Sequence, residues 1–158
     1  MHALVATFPA DTDVPPSEGA VRALTLVDRA DAGIVSIALF ESEEQARQAA
    51  AAAEAGTVET YDVATEQLRP GRPARYARVA THHGFPMRDV SPAPIAGLEG
   101  LAGWLMLIDR RSGKGLGILL FESEEALERG DAFVSEASPG TAGPASDVAF
   151  YDVGLARS

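Results

Sequence analysis

Two adjacent histidines, His82 and His83, close a short run that begins Tyr76-Ala77-Arg78-Val79-Ala80-Thr81. Imidazole is the side chain that changes charge nearest neutral pH, so it is suited to taking a proton from a phenol or an activated carbon. Neighbouring residues on a strand leave by opposite faces, so at most one of the two histidines can enter a given site. His82 has the parity of Arg78 and Tyr76, which would place a cation to steady an oxyanion and a phenol beside the base. The other reading of the pair is two polar residues that mark a strand end and face water. Trp104, the lone tryptophan, has the parity of Met106, and the two would make a flat apolar wall against an aromatic ligand. Trp104 is equally suited to filling a core.

Other candidate motifs fall away on inspection. The stretch Gly113-Lys114-Gly115-Leu116-Gly117 lacks the spacing of a phosphate loop and lies between two strand-like runs, not ahead of a helix. No His, Asp or Glu spacing resembles a metal site, and no metal or other cofactor is expected. With no cysteine, disulfides and thiolate-bound metals are excluded.

At 158 residues the chain has room for one ordinary domain or two very small ones. Its 46% hydrophobic and 23% charged content is a globular balance. A formal net charge of −10 gives no broad field to attract nucleic acid or an anionic membrane surface, and neither is expected as a partner. The first residues, His2-Ala3-Leu4-Val5, carry no basic leader, and no run is long enough to span a bilayer. A cytoplasmic location is the expectation. Lys114 is the one lysine and asparagine is absent, a bias in keeping with a GC-rich coding genome.

The elements that must position these residues occur twice. Val27-Asp28-Arg29 followed by Ile37-Ala38-Leu39-Phe40-Glu41-Ser42-Glu43-Glu44 returns as Ile108-Asp109-Arg110 followed by Ile118-Leu119-Leu120-Phe121-Glu122-Ser123-Glu124-Glu125. Upstream, Ala3 to Thr7 is echoed by Ala77 to Thr81; downstream, Tyr61-Asp62-Val63 is echoed by Tyr151-Asp152-Val153. Matched blocks in one order are the mark of an internal duplication. The repeats span 1–66 and 75–158, joined by a linker over 67–74 that contains Arg69-Pro70-Gly71-Arg72-Pro73.

Within each copy, strands are predicted at 2–8 and 75–82, at 21–28 and 102–109, and at 33–41 and 115–122. The second and third are joined by turns at 29–33 and 110–115, so they should form antiparallel hairpins. Ser42 and Ser123 are predicted N-caps with acidic residues behind them. The first helix should run to Gly56 with Ala46, Ala49, Ala50 and Ala53 inward. The second should present Ala126, Leu127, Phe133 and Val134, weakened by Gly130. Final strands are expected at 57–64 and 147–154. Leu24 and Leu26 oppose Ala23, Thr25 and Val27; Leu105 and Leu107 oppose Trp104, Met106 and Ile108. A sheet apolar on both faces needs a second cover, and pairing the two copies sheet against sheet supplies it. The expected architecture is α+β: tandem ferredoxin-like modules, antiparallel sheets with helices on the outer faces, forming a pseudo-twofold α/β barrel in one chain.

The combination of Val-Ala-Thr in the first strand, the Asp109-Arg110 hairpin with Gly113-Lys114-Gly115-Leu116, and Leu-Phe-Glu-Ser-Glu-Glu at the helix start resembles the dimeric α/β-barrel superfamily. The nearest branch is that of the antibiotic-biosynthesis monooxygenase-like proteins, and the resemblance covers most of the chain, twice. It implies a barrel made from two modules, here a pseudo-dimer within one chain that could pair further as a homodimer. Members of the superfamily include cofactor-independent quinone-forming monooxygenases, haem-degrading oxygenases, polyketide cyclases and lactone isomerases. The sequence departs from that pattern in two ways. The family's helix between the first two strands has little room in Pro9–Ala20, and in His83–Leu101 it is either lost or reduced to a turn near Pro94–Gly100. The asparagine of the haem-degrading branch has no counterpart, which sets haem degradation aside.

Two classes of function follow. One is a cofactor-independent monooxygenase or cyclase of secondary metabolism acting on a hydrophobic, hydroxy-aromatic small molecule. There His82 or His83 would serve as base, Arg78 would steady an oxyanion, and Trp104, Tyr76 and Met106 would line the ligand. The other is a non-catalytic small-molecule-binding or scaffold barrel. Ala23 stands where the second copy has Trp104, so a single site in the second copy is expected. Solvent-facing histidines with Arg78 tied to a surface carboxylate would count against catalysis.

Overall fold

The computed structural model describes residues 1–11, 14, 18–53, 56–68, 71–83, 97–137 and 147–154, leaving aside the side chains of 135–137. The strands are β1 (His2–Phe8), β2 (Arg22–Asp28), β3 (Ile34–Phe40), β4 (Thr57–Leu68), β5 (Tyr76–His82), β6 (Leu101–Ile108), β7 (Gly115–Phe121) and β8 (Asp147–Val153). The helices are α1 (Glu43–Ala52) and α2 (Glu124–Ala137). The order β-β-β-α-β thus occurs twice. The hydrogen-bonded strand order β1-β3-β2-β8-β5-β7-β6-β4 returns to its start, an antiparallel barrel with both helices outside. Among the described residues no helix is long and apolar enough to cross a membrane.

The chain divides into two compact units, Met1–Val63 with Tyr151–Ser158, and Ala64–Phe150. In the first, β3 lies between β1 and β2, with Leu4 opposite Ala38 and Ala38 opposite Ala23. The hairpin turn is held by the Asp28 carboxylate, which accepts from the Ala30 N–H, and by Asp31, which accepts from Gly33. Ser42 caps α1 by accepting from the Gln45 N–H. Ala46 is buried and Ala49 and Ala50 pack beside it on Leu4, Ala38 and Phe40. The helix ends at Ala52, short of Gly56, and Ala53 is its C-cap, not part of its inner face. Tyr61 is buried and its hydroxyl donates to Glu59. Its neighbour Asp62 meets the His2 Nδ1 at 3.1 Å.

In the second unit β7 lies between β5 and β6. Its hairpin uses Asp109, which accepts from the Arg111 N–H and the Ser112 hydroxyl. Those hydrogen bonds hold the Asp109 carboxyl below its usual range. Ser123 caps α2, accepting from the Ala126 N–H. The helix rests on Leu101, Trp104, Leu119 and Phe121 through Ala126, Leu127 and Val134. Phe133, by contrast, is 40% exposed. Seven residues beyond Ala126, it falls at the rim of the buried arc, whose middle is Gly130.

Gly130 does more than weaken the helix: a Cβ there would run into the Phe121 ring, so its absence is what lets α2 sit down on the sheet. Gly100, at φ +78°, makes a similar approach, and a Cβ there would lie 2.5 Å from that of Ala126. The longest strand, β4, continues to Leu68, past the expected end at 64. It does so beside a register shift in β6 between Leu101 and Gly103, where a Gly103 Cβ would lie 2.5 Å from the Gln67 carbonyl oxygen. Between β1 and β2 the described residues contain turns and no helix. In the second unit, residues 84–96 of the expected helix remnant lie outside the described residues, and 97–100 form a turn.

Two substitutions test this packing. Gly130→Ala gains about 1 kcal/mol of helix propensity but overpacks Phe121 at a cost of about 1–3 kcal/mol, so a net loss of stability is expected in urea unfolding. Ala32 occupies a left-handed conformation, φ 63°, where the other hairpin has Gly113 at φ 74°. Relief of about 1–2 kcal/mol of strain outweighs the roughly 0.5–1 kcal/mol entropic cost of glycine. Ala32→Gly should therefore raise the urea midpoint and Gly113→Ala lower it.

Candidate functional site

Strand parity brings the sequence candidates together. Tyr76, Arg78, Ala80 and His82 share one face of β5. Their partners on β7 are Phe121, Leu119, Gly117 and Gly115, and beyond these on β6 lie Leu101, Trp104, Met106 and Ile108. This is the face that α2 covers, because Trp104, Leu119 and Phe121 pack with Ala126 and Leu127 while Tyr76, Met106, Leu98 and Phe150 pack around them. The opposite face, with Ala77, Leu105, Leu107, Ile118 and Leu120, is buried as well. His83 is not part of the group; it is exposed beyond the end of β5.

Across this face the chemistry changes from strand to strand. β5 offers a guanidinium and an imidazole, β6 an indole and a thioether. Between their last two rows β7 has only Gly117 and Gly115, so no side chain rises there; a Cβ at Gly117 would lie 3.6 Å from the Met106 sulfur. Polar side chains of β5 and apolar ones of β6 thus flank a strip of β7 that carries no side chain beyond Leu119.

Arg78 is the one buried charged residue among the described residues, 5% exposed. Removing a guanidinium from water costs several kcal/mol unless it is paired. The partner is Asp131 of α2, whose Oδ1 accepts from Nε at 2.8 Å. The two terminal Nη groups of Arg78 make no hydrogen bond or ion pair among the described residues. They are left as donors for an oxygen. His82 is half-buried, and that burial, reinforced by the positive charge of Arg78, holds its imidazole below the ordinary histidine pKa. At neutral pH it is uncharged, the state required of a base. Among the described residues no three histidine or carboxylate side chains gather where they could hold a metal.

The first unit lacks this chemistry. The positions matching Arg78, Leu119 and Trp104 hold Leu4, Ala38 and Ala23, and those matching His82 and Met106 hold Phe8 and Thr25. α1 settles on that surface through alanines, so the face is filled by packing.

Asp131 was not among the sequence candidates. A signal for it does exist: it lies on the same arc as Leu127 and Val134, an acid within the buried stripe of an amphipathic helix. Arg78 is the matching anomaly on an otherwise apolar strand face, and two opposite charges misplaced in this way invite pairing.

No family model and no curated protein matches the chain. Solved structures do. An anthrone oxidase-like protein superposes with a TM-score of 0.66 at 15% identity, covering 99% of this chain and 92% of that one. A putative monooxygenase from Lactobacillus acidophilus gives 0.65 at 11% identity, covering 98% and 94%. A putative monooxygenase from Fusobacterium nucleatum gives 0.57 at 11%, covering 96% and 90%. The chain has the fold of these monooxygenase-like proteins. At such identities the likeness concerns the fold alone.

The His82 environment has a thermodynamic consequence. Its folded pKa is lowered, so between the folded and unfolded values the unfolded chain binds more protons and stability rises with pH. The contribution is complete above about pH 6.5, the unfolded value, and is lost as pH falls from there through the folded one. His82→Gln should flatten this part of the stability–pH curve measured by urea unfolding, and His83→Gln should leave it in place.

Proposed function

We propose that this chain is a small-molecule-binding α/β-barrel protein, derived by duplication of one ferredoxin-like module, with a single ligand site on the α2-covered face of the second module. The ligand is a hydrophobic hydroxy-aromatic molecule of polyketide type. Its ring plane lies along Trp104 and Met106, with Tyr76 alongside, and an oxygen accepts from the Arg78 Nη groups. One observation carries the reading. Arg78, His82, Met106 and Trp104 stand at positions where the first module has Leu4, Phe8, Thr25 and Ala23. A core alone calls for no such change, since the first module packs its helix without it.

A second reading is supported by His82. Half-buried and uncharged at neutral pH, it is suited to remove a proton from a bound hydroxy-aromatic, with Arg78 steadying the oxyanion so formed. In a cofactor-independent monooxygenase the resulting carbanion reduces dioxygen, one oxygen atom entering the product as a quinone carbonyl and the other leaving as water. In a cyclase the same proton removal starts an aldol closure. The monooxygenase-like fold of the solved structures is compatible with either reading.

Titration with a panel of hydroxy-aromatic and polycyclic quinol compounds, followed by Trp104 fluorescence, separates the outcomes. Saturable quenching with one equivalent per chain is expected. No quenching from any compound, with emission already blue-shifted, would mean that Trp104 is only a core residue, and the binding proposal would fall. For any compound that binds, the catalytic reading predicts a product by mass spectrometry in the presence of oxygen that His82→Gln eliminates while binding persists. Undiminished product from that variant would sink it.

A further inference from the structure

The Arg78–Asp131 pair bears on which ligands the site accepts. Asp131 occupies Nε of the guanidinium and leaves both Nη groups unengaged among the described residues. Its own position is imposed by packing, because the adjacent Gly130 lets α2 approach Phe121 too closely for any larger residue. The carboxylate therefore reaches Arg78 from a helix that cannot easily withdraw. The pair has no net charge, and its cationic member is 5% exposed.

We infer that Asp131 is a specificity-determining residue, one that makes the site select a neutral oxygen, carbonyl or hydroxyl, over a carboxylate on an otherwise identical aromatic ligand. The inference rests on the ligand site proposed above. A ketone or hydroxyl oxygen can accept from Nη without adding charge to a buried region. A carboxylate would bring a second anion to a guanidinium already neutralised by Asp131, and would lose its hydration for only part of the usual return. Without the Asp131 charge the same Arg78 becomes an uncompensated buried cation, and the preference should reverse. Asp131 acts through Arg78 and need not touch the ligand.

Two compounds with one ring system test this: 6-hydroxy-2-acetylnaphthalene and 6-hydroxy-2-naphthoate, titrated calorimetrically into the full chain. The wild-type protein should bind the ketone at least tenfold more tightly. Asp131→Asn keeps an oxygen to accept from Nε and removes only the charge; it should tighten naphthoate binding by tenfold or more and change ketone binding by less than threefold. Asp131→Glu should restore the wild-type order. Tighter naphthoate binding by the wild type, or an unchanged ratio in Asp131→Asn, overturns the inference while leaving the binding site itself standing. If neither compound binds the wild type, the site proposal fails and this one with it. An NMR titration of His82 gives a readout that a merely structural role would not move. The imidazole should titrate lower in Asp131→Asn, where Arg78 acts on it unbalanced, and return in Asp131→Glu. No shift would also count against the inference.

Discussion

Along a β-strand successive side chains leave by opposite faces, and paired residues on adjacent antiparallel strands leave by the same one. In the second module that rule ties β5, β7 and β6 into rows, and the rows decide what can meet what. Arg78, Leu119 and Trp104 form one row, and His82, Gly115 and Ile108 another. A slip of one residue in β5 would send Arg78 and His82 to the opposite face and bring Ala77 and Val79 under the helix. The guanidinium would then lose Asp131. Register and electrostatics thus enforce each other, since the buried charge is tolerable in only one of the two pairings.

The helix is constrained from below in the same manner. Its contact with the sheet is made by small residues at the points of closest approach, Ala126 against Gly100 and Gly130 against Phe121. In the first module alanines in α1 do the corresponding work on Leu4, Ala38 and Phe40. The two modules therefore solve the same packing problem with different remainders. In one the helix rests on apolar side chains, Phe40 among them; in the other a salt-bridged cation, a neutral imidazole and an indole stand next to glycines. Two units with one element order can thus differ in the chemistry of their helix-covered faces through side-chain substitution alone.

Much of this was legible in the sequence. The repeated Phe-Glu-Ser-Glu-Glu blocks located both hairpin-to-helix junctions, and the alternation around Leu24, Leu26, Leu105 and Leu107 announced sheets buried on both faces. Parity alone grouped Tyr76, Arg78 and His82, and separately Trp104 and Met106. What parity cannot supply is which face a helix will cover, because both faces were apolar enough for either role. That ambiguity concealed Asp131, whose significance depends on α2 lying over Arg78. The exposure of Phe133 was hidden for a related reason. A helical arc read from spacing has an uncertain rim, and Phe133 falls on it. The twelve residues of β4 were also underestimated, since the Gly103 irregularity that receives the strand's end lies some distance away in sequence.

The attachment of α2 is concentrated. Gly100 against Ala126, Phe121 against Gly130, and Arg78 against Asp131 all engage the helix between residues 126 and 131, less than two turns. Beyond this stretch Phe133 faces solvent and Val134 is only partly covered. Opening motions need less free energy where few buried contacts hold an element. Deuterium should therefore reach the amides of residues 132–134 before those of 126–131, where the close approaches and the charge pair hold the helix to the sheet. Local openings of the helix can then occur without the charge pair coming apart.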